Sequence, residues 1–340
     1  MSDLPKIGLD IGSSTIKIAE LAPMGKKWKL LTMASMPSPK DWMKNSKANL
    51  TVVAQSIAKL CKEAGIHSRR VVVSLPEEQV SSHLVEMPMM SDDEVEQALQ
   101  WQVEQYIPMP LDQAIWSYQI VKRDDVGKSG LEVLLAATPK TVVEFYTQVA
   151  QAAELEVLAV ETELMATARA IVPPTSTLAL IADIGSRGTD IGLVQNNMLL
   201  FSRTIPTAGE AFTRAIATTL GLENAQAEEY KNTYGFSKEQ MEGKLSEAMQ
   251  PVLKSITDEI KKTVDFYTSK HQGESVKYVV LSGGVAALPN IVNQLSVQLG
   301  LEVSVGDPFS RVEIDEAQKQ AVGNTAPFYT VSVGLAMREV

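Results

Sequence analysis

The chain has 340 residues, enough for two or three domains with cores of ordinary depth. Its 31 Lys+Arg against 41 Asp+Glu leave a formal charge of −10 with no basic cluster to offset it, which argues against nucleic acid as a partner. A lone cysteine, Cys61, excludes an internal disulfide framework, and His67, His83 and His271 are too scattered to suggest a metal site.

Residues 1–6 hold no apolar signal region, and Asp, Glu or Lys interrupts every apolar run well short of the roughly 20 residues that cross a bilayer. A soluble cytoplasmic protein without direct membrane insertion is expected. An apolar run at 7–9 leads into Asp10-Ile11-Gly12-Ser13-Ser14-Thr15 and then a second extended stretch, 15–21. A turn of small residues exposes successive N–H groups as an anion nest. The carboxylate before it is useful beside a phosphate only if a divalent cation sits between them. Strand alternation keeps Lys17 on the side of Thr15, within reach of β- and γ-phosphates. A turn at 25–27, a strand at 28–33, a helix at 50–64 and a strand at 70–75 follow.

Residues 81–88 read as a short strand. Ser91-Asp92-Asp93-Glu94 is a capping box opening a helix that stops at Pro108, with Val95, Leu99, Val103 and Tyr106 on one face. Residues 114–122 and 131–137 alternate like paired strands around a polar turn at 124–128. Thr138 then caps, and Pro139 begins, a helix carrying Val143, Tyr146, Val149 and Ala153. The result is a β-α-β-β-α module inserted as a unit, and an insertion with its own core is where partners usually dock. Gly127-Lys128-Ser129 imitates the end of a P-loop, but Lys122 stands where the leading glycine is required.

After a strand at 155–160, Glu161 and Glu163 precede a helix at 164–171. A carboxylate there can orient a water for attack on a γ-phosphate or merely cap the helix by charge. An apolar run at 178–182 then leads into Asp183-Ile184-Gly185-Ser186-Arg187-Gly188-Thr189, the first phrase repeated. Strands at 191–195 and 198–204, a helix at 209–220 and a strand at 277–281 complete a second meander-helix-strand unit, as expected for two like domains facing across a cleft. Their two turns would clamp a Mg-polyphosphate. Glu228 and Lys231 project together at i and i+3, as an ion pair on a solvated face or as cleft residues. Leu281-Ser282-Gly283-Gly284 ends a strand before a helical run at 287–299, as a plain turn or as a backbone approach to a flat ligand. No nucleophile elbow or Cys/His dyad occurs.

These motifs resemble those of the actin-like ATPase superfamily: a first phosphate motif at Asp10 to Lys17, a second at Asp183 to Thr189, an adenosine motif at Leu281 to Gly284, and connecting helices from near Glu163 and Thr325. Met87-Pro88-Met89-Met90-Ser91, residues 100–108 and Ala136-Ala137-Thr138-Pro139-Lys140 are very similar to the PilM family, and the resemblance covers nearly the whole chain.

The resemblance implies an α/β fold of two duplicated RNase H-like domains around a nucleotide cleft, with an inserted small subdomain. By position, 1–79 and 155–175 form subdomain 1A, 80–154 the insert 1C, 176–206 with 276–320 subdomain 2A, 207–275 subdomain 2B, and 321–340 a closing helix onto 1A. It implies ATP and Mg2+, with Asp10 and Asp183 holding the metal through water. Gly12, Ser13, Ser14, Thr15, Lys17, Gly185, Ser186 and Thr189 would face phosphates, Glu228 and Lys231 the ribose and base, and Gly283 and Gly284 the adenosine side. Glu163 or Glu161 would be the catalytic carboxylate. The implied role is a cytoplasmic adaptor of type IV pilus assembly. In it, nucleotide sets conformation and a groove beside the insert captures the N-terminal cytoplasmic tail of the inner-membrane protein PilN. Other pilus machinery proteins and self-association are further expected partners. A small-molecule kinase would need a large substrate-binding insertion, and an FtsA-like filament tether would need a terminal basic amphipathic helix after 337–340.

Overall fold

The structure, a computed structural model, describes residues 4–25, 27–43, 47–124, 130–239, 241–271 and 274–339. Most of the turn expected at 124–128, with Gly127-Lys128-Ser129, lies outside the described residues. The chain begins as an antiparallel meander, β1 (Lys6–Ile11), β2 (Thr15–Met24) and β3 (Lys27–Pro37), continues through α1 (Lys47–Glu63) and returns as β4 (Arg70–Leu75) parallel to β1. Val53, Ile57 and Leu60 recur at helical spacing and bury α1 against the sheet.

The insert follows: β5 (Ser81–Met87), α2 (Asp92–Gln102), β6 (Ala114–Asp124) and β7 (Gly130–Pro139), forming a sheet in the order β5-β7-β6. Val95, Leu99 and Val103 of the α2 stripe pack on Val85, Val133 and Leu135. The next helix, α3 (Lys140–Ala152), departs from the sequence reading. Val142, Phe145, Tyr146 and Val149 bury into the core of the first sheet beside Ile57, not into the insert. Nor does Thr138 cap it. Thr138 remains in β7 and donates its hydroxyl to the Gln79 carbonyl at 2.9 Å, while Pro139 stands just before the helix with ψ 137°. A residue preceding proline disfavours the helical region, so the strand continues to the proline and the helix starts one residue later.

Next come β8 (Glu156–Thr162) and α4 (Glu163–Ile171); with a late strand, β14 (Val312–Glu313), β8 completes a six-stranded sheet ordered β14-β3-β2-β1-β4-β8. The second half repeats the first with β9 (Ala179–Ile184), β10 (Thr189–Gln195), β11 (Met198–Ile205) and α5 (Gly209–Leu220). After α6 (Asn224–Tyr234) and α7 (Lys244–Lys270), β12 (Tyr278–Ser282) returns parallel to β9. Then α8 (Ile291–Leu299) and β13 (Glu302–Val305) finish a sheet ordered β11-β10-β9-β12-β13. Strand β14 (Val312–Glu313) and α9 (Glu316–Val322) cross back, and α10 (Thr330–Ala336) closes onto the first half.

The closure depends on missing side chains. A Cβ on Gly334 would stand 1.9 Å from the Ala166 carbonyl oxygen of α4, and one on Gly8 1.8 Å from that of Ser332. The insert also touches the second half. Val121 and Leu134 share a core with Leu199, and Lys122 pairs with Glu274 at 2.9 Å.

Candidate functional site

A cleft of about 860 Å³ separates the halves, and both glycine turns line it. The turns are built alike: the Gly12 N–H donates to the Thr15 carbonyl at 3.1 Å and the Gly185 N–H to the Gly188 carbonyl at 3.0 Å. They meet across the cleft, Ser14 Oγ lying 2.8 Å from Ser186 Oγ. The start of α5 braces the second turn, its Gly209 and Glu210 N–H groups donating to the Gly185 and Ser186 carbonyls at 3.0 and 2.8 Å. Gly283, with φ +80°, carries the β12 turn onto the same spot. A Cβ there would lie 2.6 Å from Asp183 Oδ1, so only glycine fits beside that carboxylate.

Asp10 is the penultimate residue of β1 and is 2% exposed. Its register partner on β2 is Lys17, whose Nζ reaches Asp10 Oδ2 at 2.7 Å and lies 4.7 Å from the centre of the Phe328 ring. Burial would lower the Lys17 pKa, but Asp10, with Asp183 and Glu163, outweighs it and holds the ammonium above its ordinary value. In the second half the register partner of Asp183 is Asp190, an acid where the first half has a lysine. Burial raises the pKa of Asp183 against the pull of Lys17 and the Ser282 hydroxyl. Burial pushes Asp190 well up despite the hydroxyl of Thr204. Glu163, first residue of α4, is pushed well up by burial and then by Asp10, Asp190, Asp183 and Glu77. Glu77, 3% exposed, is raised by burial as well. Its Oε2 accepts from the Leu164 N–H at 3.3 Å, while its own N–H points to Glu163 Oε2 at 3.4 Å.

The donor set is therefore a group of buried carboxyls with raised pKa values facing Lys17, and a divalent cation would offset the cost of ionising them. Asp10 and Asp183 both line the cleft, where they would hold a divalent cation that would supply charge neutralisation. Among the described residues no three acidic, imidazole or thiol donors converge closely enough to hold a metal ion by themselves.

Ser13, Ser14, Thr15, Ser186, Gly284, Glu228 and Lys231 also line the cleft. Of the last pair, Lys231 is buried while Glu228 is half exposed. Lys231, 4% exposed, donates to Glu228 Oε2 at 2.6 Å, Thr213 Oγ1 at 3.0 Å and the Gly209 carbonyl at 3.3 Å, tying α6 to the start of α5. Two expected residues do not reach the cleft. Thr189 is fully buried and donates to the Thr207 carbonyl at 2.7 Å. Glu161 points away, held by Arg169 at 2.5 and 2.8 Å and also by Arg338. Sequence reasoning did not nominate Asp190, Glu77, Gly209 or Phe328 as lining residues. Asp190 was findable, since it follows Asp183 by the seven residues that separate Lys17 from Asp10.

A second groove, of about 750 Å³, runs between α4 and the insert. Ile115, Ser117 and Gln119 of β6, Thr138 of β7, Thr162, Met165 and Arg169 around α4, and Asn197 and Leu199 flanking and within β11 line it. It thus borders both halves and the insert. Glu161 belongs here.

Residues 8–340 match the family described as Type IV pilus assembly protein PilM. The chain is similar to a solved structure of the PilM-PilN type IV pilus biogenesis complex, at 28% identity over 98% of each chain with TM-score 0.83. It is also similar to ethanolamine utilization protein EutJ from Carboxydothermus hydrogenoformans, at 16% identity over 99% of this chain and 90% of that one, TM-score 0.61. MreB5 of Spiroplasma citri bound to AMPPNP matches at 14% identity over 97% of this chain and 94% of that one, TM-score 0.54. The last two likenesses are of fold, the actin-like ATPase architecture of two sheets around a cleft. No described helix is long and apolar enough to cross a membrane.

Proposed function

The chain belongs to the PilM family of type IV pilus assembly proteins, and from that premise we propose that it is a cytoplasmic, ATP-binding adaptor that captures the N-terminal tail of PilN and ties an inner-membrane complex to the pilus machinery. It would sit at the inner membrane through that partner. The observation that carries the reading is the pairing of two sites: a cleft whose matched turns meet at Ser14 and Ser186, and a peptide-sized groove beside the insert.

In this reading Asp10 and Asp183 hold Mg2+ through water, and the turn N–H groups with Ser13, Ser14 and Ser186 orient the phosphates. Lys17, kept charged by Asp10, faces the same phosphates. Gly283 and Gly284 admit the adenosine side, with Glu228 and Lys231 at the ribose and base. Mg2+, when bound, supplies the charge neutralisation that lets buried carboxylates and phosphates share one cleft. Glu163, which lines the cleft at the start of α4, would take a proton from a water, and burial among acids supports this by raising its basicity.

Calorimetric titration tests both sites. Asp10→Ala and Asp183→Ala are expected to abolish measurable Mg-ATP binding in a folded protein. Ser117→Arg, at an exposed groove position, is expected to keep ATP binding and lose the PilN-tail peptide. Undiminished Mg-ATP affinity in both aspartate variants, or undiminished peptide affinity in Ser117→Arg, would reject the corresponding assignment.

A further inference from the structure

We propose that the outer face of α2 docks a cationic segment of a protein partner, with the Trp101 indole as its anchor and the carboxylates around it as its guides. This face lies across the inserted sheet from the second groove, so the inference stands whether or not that groove holds the tail.

Helix α2 presses Val95 and Leu99 onto one face of the sheet, where Val133 and Leu135 of β7 meet them. Leu134, between those two, points from the opposite face and lines the second groove. The side of α2 turned from the sheet therefore looks away from the groove. Trp101 stands on that side and is 86% exposed, the most open of the large apolar side chains among the described residues. Its neighbours one turn away in each direction, Gln97 and Glu104, are exposed as well. Packing does not call for an indole here, because Val95, Leu99 and Val103 already supply the buried stripe. Among the described residues no cation covers its ring.

Single apolar side chains are common on protein surfaces, and the electrostatic setting is what distinguishes this one. From Val71 to Val121 the sequence holds nine acids and no lysine or arginine, in a chain that carries 31 of those cations. Asp92, Asp93, Glu94 and Glu96 lie on α2 and Glu104 just after it, all exposed. Among the described residues the one cation paired with them is Arg123 of β6, which holds Asp92 at the end of α2 remote from Trp101. Carboxylates that the fold leaves uncompensated set up a negative field, which attracts a cationic segment and speeds its encounter. Tryptophan is the best aromatic seat for a lysine or arginine head and a frequent energetic centre of interfaces. The same field disfavours the other occupants. Anionic headgroups and nucleic acid are repelled, and a second copy turned face to face would set acid against acid.

The test titrates the full-length protein, by calorimetry, with a synthetic peptide of leucine and lysine at helical spacing and with its twin carrying glutamate for lysine. The lysine peptide is expected to bind and the glutamate twin to fail. Trp101→Ala and Glu104→Lys are each expected to weaken the lysine peptide by about tenfold or more. Asp265→Lys, the same change of charge at an exposed position of α7, is expected to leave that affinity unaltered. The docking face is overturned if the lysine peptide does not bind, if both twins bind equally, if Trp101→Ala or Glu104→Lys keeps the parent's affinity, or if Asp265→Lys loses as much as Glu104→Lys. None of these results bears on the Mg-ATP cleft or the tail groove, which their own titrations test.

Discussion

Glu161 and Glu163 flank Thr162, whose hydroxyl accepts from the Met165 N–H at 3.3 Å and caps α4. Alternation along a strand would keep both glutamates on one side, but strand gives way to helix at that cap, and the two carboxylates part. Glu163→Gln is expected to keep Mg-ATP binding and to lower any phosphate release by roughly a hundredfold or more, measured by single-turnover assay. Unchanged release would remove Glu163 from the chemistry. Glu161→Ala is expected to leave ATP affinity unaltered and to lower stability in urea by about 2 kcal/mol. It strips a buried carboxylate from Arg169 and Arg338, which keep partial access to water.

Two local devices decide elements. At the start of α2, Glu94 Oε2 accepts from the Ser91 N–H at 2.8 Å and hydroxyl at 2.9 Å, which hold its carboxyl below the ordinary 4.5. A carboxylate whose pKa is depressed on folding contributes stability above its unfolded value and loses it as pH falls through the folded one. The urea midpoint of Glu94→Gln is therefore expected to lie below that of the parent at neutral pH, with the gap closing on acidification beneath 4.5. A gap independent of pH would show that the charge is not what caps the helix. At the crossing of α4 and α10, Gly334→Ala places a methyl on the Ala166 carbonyl and is expected to cost roughly 1–3 kcal/mol, as overpacking does, read from thermal unfolding.

Across the whole molecule, the insert is wedged between halves that the cleft also separates. Its β6 and β7 bear on α4 from the first half and on β11 from the second, and Asn197 and Leu199 help to form the second groove. If the cleft closes on nucleotide, the groove is expected to change with it, because Asn197 and Leu199 of the second half form part of its wall. Mg-ATP is expected to change PilN-tail affinity by about tenfold, and the tail to change ATP affinity by the same factor, since coupling is reciprocal. Equal peptide affinity in nucleotide-free and ATP-loaded protein would remove the coupling and leave two independent sites.

The sequence by itself determined the parts whose signal is local and repeated. Asp10-Ile11-Gly12-Ser13 and Asp183-Ile184-Gly185-Ser186, each between apolar runs, specify two hairpins because glycine turns and period-two alternation act over a few residues. Duplication then implies facing domains. The heptadic lag from Asp10 to Lys17 likewise reads as a strand register. Tertiary structure alone decided which residues leave their local pattern. Helix α3 follows the insert in the chain yet fills the first core, because its apolar face finds α1. Thr189 turns inward to Thr207, and Glu161 turns to two arginines far along the chain. Glu77 becomes a cleft carboxylate only because α4 starts beside it. These outcomes depend on which distant surfaces meet, and burial and charge pairing between such surfaces have no period for a sequence to display.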